Sequence, residues 1–164
     1  MDNIKESLLR AMEGYFGGDE RRINHARRVT DYAEGLMATE GGDYPIVIGA
    51  AVLHDIGIHE AERKYHSSGG KFQEKEGPPI ARRILTGLGF ERGHIEEICA
   101  IIGHHHSPGK INTVNFKVLY DADWLVNLGD EFDIRDKNKL ASIIDTVFLT
   151  ASGRTLAREI YFKG

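Results

Sequence analysis

The sequence has one cysteine, Cys99, so no internal disulfide can form. It lies in the apolar run Ile98-Cys99-Ala100-Ile101-Ile102, as a core thiol would. A reducing, cytoplasmic setting is expected. No apolar run approaches the roughly 20 residues of a membrane span, so no membrane partner is expected. The first residues, Met1-Asp2-Asn3-Ile4-Lys5-Glu6, are polar and lack the apolar stretch of a signal peptide. Basic charge is not in excess: 21 Lys and Arg stand against 25 Asp and Glu, and they are scattered. Nucleic acid is therefore not the expected partner. No run reads as a strand, no segment repeats, and no linker divides the chain. One domain over residues 1–164 is expected, and a chain of that length can bury its own core.

What is present is helical periodicity. Ile4, Leu8, Leu9 and Met12 give a short amphipathic helix over 3–14. Asp19 suits an N-cap for a helix over about 20–39, whose buried side carries Val29, Tyr32, Ala33 and Leu36. Pro45 suits a first helical turn, and 46–54 is nearly all apolar. The pattern dissolves over 58–77, which reads as a polar binding loop or lid. Pro78-Pro79 is expected to open a helix ending at Gly89. Further helices are predicted over 91–103 and 115–128. Residues 136–162 read as one or two helices, broken near Ser152-Gly153. The expected fold is an all-α, single-domain bundle of about seven helices.

Histidine is the abundant exception, with 8 residues, three of them consecutive at 104–106. The chain is organised around Ala51-Val52-Leu53-His54-Asp55-Ile56-Gly57, an apolar helix that stops on an imidazole and a carboxylate. Neighbours on a continuous helix point about 100° apart, so aiming both at one centre needs the helix to end there. Gly57 is read as supplying the backbone freedom. His25, His54-Asp55, His104-His105 and Asp121/Asp123 each lie at a helix end or beside an apolar stripe. A bundle can bring such segments together, and burying so many ionisable groups is costly unless they are paired or bind a cation.

In this order the segments resemble the HD-domain superfamily of metal-dependent phosphohydrolases. Ile23-Asn24-His25-Ala26-Arg27-Arg28-Val29 resembles its first segment and Leu53-His54-Asp55-Ile56-Gly57 its defining one. Ile101-Ile102-Gly103-His104-His105 and Tyr120-Asp121-Ala122-Asp123-Trp124-Leu125 resemble two more. The resemblance covers about residues 21–129. It implies His25, His54, Asp55 and Asp123 as ligands of a divalent transition metal (Mn, Fe, Co, Ni or Zn, with Mg as a further option). Periodicity does not separate Asp121 from Asp123, and Asp121 is read as orienting a ligand. A second metal would use Glu76, His104 and His105; Glu76 reads equally well as a solvated acid at a helix start. His106 is set aside, because three adjacent histidines cannot all face one centre.

The resemblance further implies hydrolysis of a phosphoester or phosphoanhydride of a nucleotide or small phosphorylated metabolite. A bound divalent metal lowers the pKa of water toward ~7 and polarises a phosphoryl oxygen. Asp55 and His104 are the candidate proton-transfer residues. Arg28, Lys64 and Lys71, with Arg27 and Arg82, are candidate phosphate clamps. Two departures speak against cyclic-dinucleotide cleavage: Ile58 stands where that variant has Lys, and Ser107-Pro108-Gly109 replaces its Gly-Tyr-Pro. Two alternatives remain, a di-iron oxygenase of the same fold and a non-catalytic metal or nucleotide-binding module. A monomer or homodimer is expected.

Overall fold

The computed structural model describes residues 2–163. Its described residues form nine α-helices and no strand: α1 (Asp2–Phe16), α2 (Glu20–Glu40), α3 (Tyr44–Leu53), α4 (Ile58–Tyr65), α5 (Gly70–Gly87), α6 (Arg92–Ile102), α7 (Val114–Glu131), α8 (Lys137–Val147) and α9 (Ala151–Lys163). The all-α expectation holds. No described helix is long and apolar enough to cross a membrane.

The helix count exceeds seven for two local reasons. Residues 58–77 are not a loop. Ile58 and Ala61 are buried on one side of α4, which ends where His66 takes a left-handed conformation at φ 54°. Only 66–69 separates α4 from α5. Pro78 and Pro79 do not open α5 but lie inside it, although each removes a backbone donor. Ile80, Ala81 and Leu85 pack that helix into the core, against α6. The second extra helix comes from a break at Phe148–Thr150, upstream of the expected Ser152-Gly153.

Capping marks several starts. The carboxylate of Asp19 accepts from Arg22 N, Thr113 Oγ1 from Phe116 N and Asp136 from Lys139 N. α3 lies at the centre, with every residue from Ile46 to Leu53 buried. It packs on α1, α2, α6 and α7. A helix apolar on all sides can only be stable in such a position. α2 and α7 form the most extensive helix pair. They run antiparallel: just past the end of α2, Asp43 N donates to Asn115 Oδ1 at the start of α7, while Arg28 in the first half of α2 pairs with Asp130 at the end of α7.

Gly57 owes its place to packing, not to backbone freedom. Its φ of −83° is open to any residue. A Cβ there would lie 2.5 Å from Gly77 N and 2.8 Å from Gly77 Cα. The start of α4 touches the backbone of α5 at this point.

Candidate metal centre

Three helices converge on one point. α2 brings His25 at the edge of its buried Ala26–Val29–Ala33 stripe. α3 ends at Leu53, and the chain turns through Ile56 N donating to Leu53 O (3.1 Å) and Ile58 N to Asp55 O (3.0 Å). With the regular helix ended, His54 and Asp55 no longer splay around one axis. α7 brings Asp123 beside the fully buried Ala122.

The donor atoms are closely spaced. His25 Nε2 lies 3.1 Å from Asp123 Oδ1, 3.2 Å from His54 Nε2 and 3.3 Å from Asp55 Oδ2. His54 Nε2 lies 3.2 Å from Asp123 Oδ1 and 3.4 Å from Asp55 Oδ2. Ligands about 2.0–2.2 Å from one ion stand about 2.8–3.6 Å from their neighbours, so these separations fit the edges of a coordination shell. The tautomer fits too. His54 Nδ1 is 2.8 Å from Ala51 O, and a carbonyl can only accept, so Nδ1 carries the proton and Nε2 turns a lone pair inward.

The electrostatics favour a cation. Burial pushes the Asp55 carboxyl up, but His54 and then His105 outweigh it and hold it well below the usual range. Burial opposes ionisation of Asp123 likewise, and His54 and His25 reverse it. Burial pushes fully buried His54 down, while Asp55 and Asp123 lift it to about 10. The two ionised carboxylates thus hold a proton on His54, and a divalent cation replaces that charge and releases the proton.

A family model for the HD domain matches residues 22–128, a span that contains every one of these donors. The chain belongs to the HD-domain family. It is also similar to the crystal structure of a predicted HD superfamily hydrolase from an uncultured Thermotogales bacterium. The two share 26% identity at a TM-score of 0.66, over 99% of this chain and 85% of the other. No curated protein matches significantly.

The structure of this HD domain brings His25, His54, Asp55 and Asp123 together and adds His105. Nδ1 of His105 donates to Ile102 O at 2.6 Å, and its buried Nε2 is the one such side-chain atom without a hydrogen bond among the described residues. That nitrogen is 3.4 Å from Asp55 Oδ1. Asp55, His105 and His106 form a second group of donors close enough to share an ion. His106 therefore belongs near the site after all, its Nε2 3.1 Å from Gln73 Oε1. His104 does not, because its Nδ1 donates to Ala100 O, back along its own helix.

Three other expectations are corrected. Asp121 orients no ligand. Two residues from Asp123, it sits about 200° around α7, where it accepts from Leu149 N, Thr150 N and Thr150 Oγ1 at 2.9, 2.8 and 2.6 Å. It holds the turn that launches α9. Glu76 is not at the second donor group: α5 begins earlier than expected, so Glu76 is mid-helix, bound by Lys64 Nζ at 2.9 Å and Tyr65 OH at 2.8 Å. That engages Lys64 elsewhere, and Lys71 lies over the Phe72 ring; neither reaches the cleft at the donor cluster. Arg27 pairs with Glu13 and Arg82 with Glu96.

That cleft, of about 260 Å³, opens over His25, Asp55 and Asp123. Arg28 lines it, as do Arg21 and Arg22, which the sequence reading passed over as phosphate ligands. Both lie one helical turn before His25, and that spacing was the available signal. Neither has an ion pair within 4.0 Å among the described residues, whereas Arg28 Nη1 is 3.1 Å from Asp130 Oδ2. Gln73 and Asn127 also line the cleft, and Asn127 is one turn after Asp123.

Proposed function

We propose that this HD domain is a metal-dependent phosphohydrolase acting on a phosphoester or phosphoanhydride of a nucleotide or small phosphorylated metabolite. One observation carries the reading: each of two imidazoles lies 3.1–3.4 Å from two carboxylates, and His25, Asp55 and Asp123 of that cluster line a cleft with two arginines that have no ion pair among the described residues. His25, His54, Asp55 and Asp123 hold the cation, and this mixed N/O set suits Mn, Fe, Co, Ni or Zn. A divalent metal so bound supplies an acidified water and polarises a phosphoryl oxygen.

The chain does the rest. Arg21 and Arg22 bind and orient the phosphoryl oxygens, a task the guanidinium fork suits. Asp55 Oδ1 accepts the proton of the attacking water and passes it toward His105 Nε2, 3.4 Å away. Ile102 O fixes the His105 ring for that task. His105 thus takes the role expected of His104.

The test is metal analysis of tag-free protein beside Asp55→Ala and His104→Ala, followed by a phosphate-release screen. Wild type and His104→Ala should each hold one or two transition-metal ions per chain and release phosphate, while Asp55→Ala should lose both properties. No metal in wild type after reconstitution would refute the reading. Two irons with oxygen consumption and no phosphate release would replace it with an oxygenase.

A further inference from the structure

We propose that Glu74 is a positioning residue of this site: it fixes the peptide between His105 and His106 and so holds His105 Nε2 at proton-transfer distance from Asp55 Oδ1. The inference rests on the phosphohydrolase reading for its chemistry, but the placement of the His105 ring can be read in spectra alone.

The turn that carries His105 is poorly held by its own backbone. α6 ends at Ile102, and His105 N lies a long 3.5 Å from Ile102 O. The next amide, His106 N, finds no backbone acceptor among the described residues. It donates instead to Glu74 Oε2 at 3.0 Å, and Ser107 Oγ donates to Glu74 Oε1 at 3.0 Å. That amide shares a rigid plane with the His105 carbonyl, so the carboxylate sets the direction in which the chain leaves His105. Ile102 O then orients the ring, and Nε2 ends 3.4 Å from Asp55 Oδ1. Glu74 has no ion pair within 4.0 Å among the described residues, and each of its two oxygens serves this turn.

Asp55 is held from the same helix face. Gly70, Gln73, Glu74 and Gly77 recur at i, i+3, i+4 and i+7 along α5 and so share one side of it. A Cβ on Gly70 would lie 2.9 Å from His106 Cγ, so the His106 ring packs directly on the helix backbone. Gln73 Nε2 donates to Ser68 O, which leaves Oε1 to accept from His106 Nε2 at 3.1 Å. Gly77 meets the turn after Asp55, its N lying 2.5 Å from where a Gly57 Cβ would be. One helix face thus spaces the two turns whose side chains exchange the proton. Glu74 is the member of that face that grips the His105 turn by its backbone.

The experiment reads the His105 ring by long-range proton–nitrogen NMR in protein loaded with one zinc per chain, beside turnover of a nucleoside 5′-monophosphate and of p-nitrophenyl phosphate. Wild type should show one His105 ring protonated at Nδ1. Glu74→Ala should broaden or split that signal, keep its zinc and lose no more than ~5 °C in Tm. It should lower kcat by roughly 10–100-fold with KM little changed. Glu74→Gln should restore the signal and most of the rate, because its carbonyl accepts from His106 N and its amide donates to a Ser107 hydroxyl turned to accept. An unmoved ring signal or an unchanged kcat in Glu74→Ala, or a Glu74→Gln variant no better than it, would overturn the proposal. Loss of zinc or a larger fall in Tm would overturn it too, by making Glu74 a general structural residue. If wild type hydrolyses neither ester but the ring responds as expected, the positioning of His105 stands and the phosphohydrolase reading fails.

Discussion

Gly57→Ala should be among the most damaging single-methyl additions in this protein. The new Cβ would lie 2.5 Å from Gly77 N, 2.8 Å from Gly77 Cα and 3.0 Å from Gln73 O. All are backbone atoms within α5, so no side chain can rotate away. Restoring ordinary contact needs a shift of nearly 1 Å between the start of α4 and α5. Adding a methylene to a packed core typically costs 1–3 kcal/mol, and backbone on backbone puts this case at the upper end, about 3 kcal/mol. For a chain of this size that is a fall in Tm of roughly 6–12 °C. Because Gly57 follows Asp55 by two residues, metal retention should also weaken. The assay is urea unfolding of apo protein, with metal content measured separately. Gly35→Ala is the control, with nothing within 4 Å of its new Cβ on α2. It should stabilise by about 0.5–1 kcal/mol through lower unfolded-state entropy. Loss below about 0.5 kcal/mol in Gly57→Ala would refute the packing argument.

Two further substitutions separate structural acids from metal-binding ones. Asp121→Asn should destabilise by about 1–3 kcal/mol, since one acceptor oxygen becomes a donor facing backbone N–H groups, yet leave metal stoichiometry unchanged; metal loss matching that of Asp55→Ala would restore it to the site. Glu76 is held below its ordinary pKa by Lys64 and then Tyr65. Its stabilising contribution is therefore present above the unfolded pKa near 4.5 and is lost as pH falls through the folded value. Glu76→Gln should flatten the acid limb of stability against pH while metal content stays the same, and an unchanged acid limb would show the pair contributes nothing.

The all-helical class was legible because residue periodicity reports helices directly, and α2, α3, α6 and α7 lie close to where it put them. The four donors were legible as well, but only through their order and resemblance. Periodicity could not choose between Asp121 and Asp123, since both flank an apolar stripe. The choice belongs to what α7 packs against, with α2 and α3 at Asp123 and the Leu149–Thr150 turn at Asp121. Polar composition concealed α4, because two buried residues suffice to dock so short a helix. The same error displaced Glu76 and the lysines, whose partners depend on where α5 starts. Among three consecutive histidines, only the end of α6 decides: His104 turns back to Ala100 O, and His105 turns toward Asp55. Residue types and local spacing thus determined the helices and the donors on offer. Which of those donors meet, and which charges face them across the cleft, depends on how helices distant in sequence cross, and no local pattern records that.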